Sequence, residues 1–582
     1  MKFLKRGMKM LLVSSYPPRE CGLATFSNDI VHAVNHVFGN TLPIEICALQ
    51  NEKDVYHYGE EVTHILNTAL LKNYREVAEQ INERDDIGLV CVQHEFGLFG
   101  GDYGSYLLAF LLTLNKPIAT VFHTVLPNPN EKIKKVVKRI AELSDKIIVL
   151  TQKSKALLIK DYEYSDAKVK MIPHGTHTVL WSTKQTLKNK YGFTDNHVLS
   201  TFGLISENKS IETVLYALPE IVKKHPNVVY LVIGKTHPEI IKKEGEQYRE
   251  KLQSIVNEYQ LNNNVIFINE YLELKYLLEY LALSDIYLFT SKDPNQAVSG
   301  TLAYAMSSGC AVVSNPIPHA QEILGNDLGM LLNAFEKPQE FQEAILQLLN
   351  NKKEQVAMAK RAFSYMHKTT WENVAIQYGL IFGELTYRVE DLRFKSPPIK
   401  LDHIKKLTTD FGMLQFSDFN KPSLNSGYTL DDNARALINM VMYYQRFKDK
   451  SVLIMASIYL QFIEKIQREN GWFDNFMNYE RQVIAKNEET NLEDANGRAI
   501  WSLGFLIGNE NSLPENLVIK AKSCWEKAIT NLDDIRSPRA IAYAIKGLYF
   551  YYTMHPNAFI EMHINKYAQQ LLEHFNINSE DD

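Results

Sequence analysis

The sequence predicts an α/β fold: two doubly wound parallel-sheet domains, then an all-α domain. Three observations carry this. Up to about residue 390, near-continuous apolar runs alternate with amphipathic helical stretches, the mark of parallel strands covered on both faces. The runs fall into two series, and 582 residues exceed what one core sustains. After Leu401 the strand pattern stops and only helical periodicity remains. The boundaries read as 1–180 and 181–390 for the two sheet domains, 391–400 for a linker, and 401–582 for the helical domain.

Taken in order, "MLLVSSY", "IEICAL", "IGLVCVQH", "PIATVFHT", "KIIVLT" and "VKMIPHG" form the first series of strands. The opening "MKFLKRGMKMLLVSSYPP" mimics a signal peptide, but Lys9 interrupts a short apolar run, so a first strand is the better reading. "HVLSTFGL", "VVYLVIGK", "NVIFINEY", "DIYLFTS" and "CAVVSNP" form the second series, closed by the helix "TTWENVAIQYGLIFGEL". "TYRVEDLRFKSPPIK" reads as a linker. Beyond it, "DDNARA" at Asp431 and "DANGRA" at Asp494 repeat Asp, Asn and Arg-Ala at one spacing, echoed by "SPRAIAYAIKGL". Stacked helical hairpins follow from this recurrence, with helix capping by the acids as a second cause. The region holds about three or four hairpins, and "FNINSEDD" shows no obvious closing helix, so a partial ring or a fragment of one is expected.

A formal charge of −5 argues against broad capture of nucleic acid. Cys21, Cys47, Cys91, Cys310 and Cys524 form no CxxC pair and read as buried, reduced thiols. No run approaches the length of a membrane span, and a cytoplasmic location is expected. No basic amphipathic helix stands out beside the first-domain crevice, although peripheral membrane contact is compatible with the sequence. Oligomeric state is not readable.

Ligands of doubly wound sheets bind beyond the carboxyl ends of strands. There the chain places "YPPRECGLATF" with Gly22 opening a helix, and "QHEFGLFGGDYGSY" with His94, Glu95 and Asp102 among glycines. His123 and His174 end two strands, where a structural role is as reasonable as a chemical one. In the second domain, Gly203 and Lys209 lie in "TFGLISENKSIE", and Lys235 in "VIGKTHPE". A lysine beside a helix N-terminus suits a diphosphate, because cation and backbone dipole attract the same anion. The loop "DPNQAVSGT" offers Gln296, Ser299, Gly300 and Thr301, hydrogen-bonding groups at a helix start without competing carboxylates.

These motifs, with "TVFHTV", "IPHG", "SGTLAYAMSSGCAVVS" and the helix at Trp371, resemble the retaining GT-B glycosyltransferases of glycosyltransferase family 4 over about two thirds of the chain. The helical remainder, with "GYTLDDNARAL", "GWFDNF" and "EDANGRAIWSLG", resembles α/α-toroid domains of carbohydrate-active proteins. The resemblance implies hexosyl transfer, mannosyl or glucosyl, from a nucleotide-diphosphate sugar to a glycan or other carbohydrate. It implies retention, no cofactor beyond that co-substrate, and no metal. His123 matches the first-domain histidine near the reacting sugar, Gly22 the N-terminal glycine loop, and Lys209 the diphosphate lysine. The family's two acidic positions fall on Gln296 and Tyr304, its diphosphate arginine on Leu204, and the glycine after the lysine on Ser210.

The implied catalytic set is therefore His123, Lys209 and Gln296. The implied donor set is Gly22, Gly203, Lys209, Lys235, Gln296, Ser299, Gly300, Thr301 and Tyr304. Glycan contacts are expected from His94, Glu95, Asp102, Asp431, Asp432, Trp472, Asp474 and Asp494. The alternative is glycan binding, hydrolysis or phosphorolysis in the helical domain beside a relic transferase, since carboxylates near Tyr428, Trp472 and Phe473 suit sugars.

Overall fold

The computed structural model describes residues 8–52, 55–181, 184–387, 389 and 392–578. It divides into two units, Met1–Pro397 and Pro398–Asp582. The first unit holds two parallel sheets. One has seven strands: β1 (Lys9–Ser14), β2 (Ile44–Gln50), β3 (Val62–Asn67), β4 (Ile87–His94), β5 (Ile118–Phe122), β6 (Lys146–Val149) and β7 (Val169–Met171), in the order β3-β2-β1-β4-β5-β6-β7. The other has six: β8 (His197–Phe202), β9 (Val228–Ile233), β10 (Val265–Ile268), β11 (Ile286–Phe289), β12 (Ala311–Ser314) and β13 (Met330–Leu331), in the order β10-β9-β8-β11-β12-β13. This is a GT-B type arrangement.

Every residue of β4 and β9 is buried, as strands covered on both faces require. Two strands escape the sequence pattern. β3 is an edge strand whose first four residues alternate between half-buried and exposed before the buried Leu66, and β13 is only two residues long. Strand order reverses between β1 and β4 in the first sheet and between β8 and β11 in the second, so each sheet has a crevice at that switch.

The closing helix Trp371–Thr386 packs on the helix Gly22–Phe38, and its Trp371, Val374, Tyr378 and Phe382 join the core of the first sheet. A Cβ on Gly379 would lie 2.4 Å from the Phe38 ring, so this approach needs a glycine. By packing, therefore, the chain's last α/β helix returns to the first lobe. Of the expected linker, residue 391 lies outside the described residues and 392–400 carry no regular structure.

The second unit contains three helical hairpins among the described residues: Leu430–Phe447 with Val452–Ile466, Glu493–Ile507 with Glu515–Ala528, and Pro538–Met554 with Ala558–Asn578. The first helices of the hairpins pack in succession around a shared core. "FNINSEDD" was not expected to be helical, yet its first four residues continue the last helix to Asn578; residues 579–582 lie outside the described residues.

Candidate active site in the inter-lobe crevice

The site is assembled from strand ends on both lobes. On the first lobe, β1 leads to the helix Gly22–Phe38, whose N-cap is Cys21; its Sγ accepts the Ala24 N–H. Cys21 is half-buried where a buried thiol was expected, because it caps a helix that faces the crevice. A Cβ on Gly22 would meet nothing within 4 Å, so this helix start faces open space. Among the described residues, the N–H groups of Gly22 and Leu23 have no protein acceptor.

On the second lobe, β8 ends at Gly203 (φ 142°), and a Cβ there would lie 3.7 Å from both Lys209 Nζ and Thr301 Cγ2. Lys209 and the start of the helix Gly300–Ser307 therefore flank one open glycine. Lys209 has no carboxylate partner among the described residues, and burial alone holds its ammonium below the ordinary lysine range. Gly234 (φ 127°) closes against Gly203, whose carbonyl oxygen would be 2.1 Å from any Cβ at 234. The Arg249 guanidinium donates to the Gly234 carbonyl at 2.8 Å and fixes that loop.

At the other side of this switch, Ser299 Oγ accepts from Leu302 N–H as N-cap and meets Thr301 Oγ1 at 3.0 Å, while Ser299 N–H donates to His319 Nδ1. The Gly300 and Thr301 N–H groups have no acceptor among the described residues. His174 packs on Gly300, where a Cβ would be 2.8 Å from its Nε2. The floor is aromatic: Phe26 meets His123, His174 and Trp371 edge-on at 4.7, 5.2 and 5.1 Å. His123 Nε2–H donates to Gln93 Oε1 at 2.7 Å, and burial pushes the imidazole down to about 3, so the ring is neutral with Nδ1 as its acceptor.

Several expected contacts are redirected. Tyr304 does not face a ligand. It is 5% exposed, its hydroxyl donates to Asp29 Oδ2 at 2.6 Å, and it accepts from Trp371 Nε1 at 3.3 Å. His177 Nε2 lies 3.2 Å from the same Asp29 oxygen, so Tyr304 and His177 converge on one carboxylate from the first lobe. Gln296 is engaged within its own loop, accepting from Ser291 Oγ at 2.7 Å and donating to the Val298 carbonyl at 3.3 Å. Lys235 forms an ion pair with Glu20 of the other lobe. His94 is fully buried among Phe96, Phe99 and Phe122 with neither nitrogen hydrogen-bonded, and burial pushes it down to about 4. Glu95 accepts from Phe96 N–H at 2.8 Å and from Thr124 Oγ1 at 2.7 Å; burial raises its pKa. Asp102 is exposed, with Lys132 3.4 Å away.

In the helical unit, the repeated motif is a ladder. Asn433 accepts from Met413 N–H and donates to its carbonyl, and Asn496 does the same to Phe473. Asp431 pairs with Arg435 at 2.9 Å and with Arg498 of the next hairpin at 2.5 Å; Asp494 in turn pairs with Arg539. The cap of the helix Leu430–Phe447 is Thr429, so Asp431 is an arginine anchor in the first turn and not the cap. Asp432 accepts from Thr429 and Arg435, Asp474 from Arg468, and Glu493 from Arg536 and Ser537 N–H groups. Trp472 is half-buried against the unit's core. Sequence reasoning had no access to Asp29, Glu20 or Arg249 as site-shaping residues, because their roles depend on contacts far along the chain.

Comparison with known proteins finds a family likeness in the second lobe. Residues 183–365 match the family model "Glycosyl transferases group 1". The uncharacterized glycosyltransferase MJ1069 of Methanocaldococcus jannaschii is 23% identical over 257 residues, 43% of this chain and 62% of that relative, so the match spans less than two thirds of its length. Among solved structures, sucrose-phosphate synthase of Thermosynechococcus elongatus superposes with a TM-score of 0.54 at 16% identity, covering 65% of this chain and 99% of that one. Anabaena Alr3699/HepE in complex with UDP-glucose superposes with 0.50 at 15%, covering 65% and 100%. At these identities the structural likeness concerns the fold.

Proposed function

We propose that this chain is a retaining hexosyltransferase that takes a nucleotide-diphosphate sugar as donor and a carbohydrate as acceptor. The observation that carries this reading is the Lys209 ammonium, without a carboxylate partner among the described residues, beside Gly203 and the helix start at Gly300 and Thr301, whose N–H groups have no acceptor among those residues. A cation and two free N–H groups around a glycine that leaves room form an anion cradle, and the facing helix start at Gly22 adds two more donors.

In the proposed reaction the bond from sugar C1 to the β-phosphate oxygen breaks and its electron pair leaves on the phosphate. The acceptor oxygen bonds C1 on the same face, and its proton passes to the departing phosphate oxygen. The chain's contribution is position and charge: Lys209 and the helix ends meet the developing negative charge, while neutral His123 offers Nδ1 to a sugar hydroxyl. No metal is assigned a role. Mannose or glucose as the hexose, a glycan as acceptor, and Glu95 and Asp102 as acceptor contacts remain part of this proposal. The UDP-glucose held by the Anabaena protein makes uridine donors the first to test. Incubation with UDP-, GDP- and ADP-hexoses should release the matching nucleoside diphosphate; no release and no binding across all three sinks the assignment.

A further inference from the structure

Each phosphoryl group of a sugar nucleotide carries negative charge at neutral pH, and the charge grows as the diphosphate departs. One lysine leaves part of it unanswered, and the position where the resemblance puts an arginine is Leu204. Lys235 is near the cradle but already has a counter-ion in Glu20, and it lies 6.0 Å over the Tyr271 ring. The remaining cation is Arg19. It belongs to the first lobe, in the loop between β1 and the helix Gly22–Phe38, and its neighbour Glu20 touches Lys235 across the crevice. Thr25 Oγ1 and Tyr271 Oη, 2.9 Å apart, make a second cross-lobe contact from the same segment.

This segment is thus held against the second lobe on both sides of Gly22. Arg19 is half-buried, and its guanidinium has no hydrogen bond or ion pair among the described residues. His237, two residues past Lys235, registers its neighbours: burial lowers the imidazole's pKa most, and the charges of Lys209 and Arg19 lower it further against Glu239. Two cations without counter-ions, one from each lobe, therefore bear on one strand-end loop.

We infer that Arg19, delivered by the first lobe, is the second cation on the donor diphosphate, so that the anion is fully met only when both lobes contact it. The inference rests on the proposed donor and puts its two cations on opposite lobes.

The experiment measures UDP and UMP affinity by calorimetry, with GDP/GMP and ADP/AMP run alongside, for the full chain and for Arg19→Ala and Arg19→Gln. The parent chain should bind one diphosphate better than its monophosphate. Both variants should shrink that ratio about tenfold while leaving monophosphate affinity within about twofold. Arg19→Lys should restore part of the ratio. An unchanged ratio in folded Arg19→Ala and Arg19→Gln overturns the role of Arg19 and leaves the donor assignment standing. A parent chain that binds no diphosphate with any base removes both.

Discussion

The crevice and the helical unit both concentrate charge near helix starts, yet they differ in what answers it. In the crevice, Lys209 and Arg19 have no counter-ion, and the N–H groups of Gly22, Leu23, Gly300 and Thr301 no acceptor, among the described residues. In the helical unit, Asp431 takes two arginines, Asp432, Asp474 and Asp494 one each, and Glu493 two backbone N–H groups. An unpaired, partly desolvated charge costs folding energy that a bound counter-ion cancels, whereas a paired charge has spent its capacity inside the fold. On the proposed reading, the difference separates a ligand site from a part of the scaffold, although both look alike as runs of polar residues.

The sharpest way to break this comparison is to truncate one cation from each region. Lys209→Ala should weaken nucleoside-diphosphate binding about 10- to 100-fold, the worth of about 1.5–3 kcal/mol for a charge-assisted hydrogen bond, and should not lower the melting temperature. Arg498→Ala should do the opposite. Arg498 bridges to Asp431 and lies 4.3 Å over the Tyr543 ring, so its loss should destabilise the helical unit by about 1–2 kcal/mol and leave donor binding alone. Calorimetry and denaturant titration of the two variants read both quantities. If Lys209→Ala destabilises as much as Arg498→Ala, the crevice lysine is structural and the contrast is lost.

How far the sequence could draw this contrast depends on contact range. The parallel strands were legible because burial on both faces writes a continuous apolar run; β3 was not, because an edge strand alternates with solvent. Gly203, Lys209 and Gly300 were legible as strand-end residues. Tyr304 was expected at the donor because the resemblance puts a family carboxylate there, but its hydroxyl meets Asp29, 275 residues earlier. The link between Glu20 and Lys235 is equally long-range and leaves no local signal. In the helical unit the repeated Asp and Arg were visible, but not that Arg498 and Arg539 reach the aspartate of the preceding hairpin, since spacing within a helix says nothing about its neighbour.

A smaller effect concerns protons. His123 is pushed down to about 3 in the folded chain, against an ordinary unfolded value of about 6.5. Below about pH 6.5 the unfolded chain binds a proton that the folded chain refuses, so stability contributed by neutral His123 is complete above that pH. It declines as pH falls toward 3, by at most about 1.4 kcal/mol per pH unit. His123→Gln should flatten this slope in acid denaturation curves. In the parent chain, the proposed donor turnover should show no ionisation of His123 between pH 5 and 8. A histidine limb in that range, absent in His123→Gln, would mean that the ring charges in the native chain and that the crevice is wetter than its packing indicates.

The smallest expected effect tests the one carboxylate in the helical unit that departs from its neighbours. Burial raises the Asp432 pKa despite Thr429 and Arg435, and a raised carboxylic acid is what a glycoside-cleaving general acid requires. Such an acid works only with a second carboxylate free to act as base or nucleophile across the sugar. Here the adjacent Asp431 is occupied by Arg435 and Arg498, and Asp474 and Asp494 by arginines of their own. Among the described residues Asp432 therefore has no free carboxylate partner beside it, and the upward shift reflects burial at a helix start. Asp432→Asn should keep donor turnover within about twofold and shift unfolding by less than about 1 kcal/mol, because asparagine can still accept from Thr429. If the parent chain frees reducing sugar from α- or β-mannosides and Asp432→Asn does not, a paired charge is doing chemistry, and ion pairing no longer distinguishes the scaffold from the site.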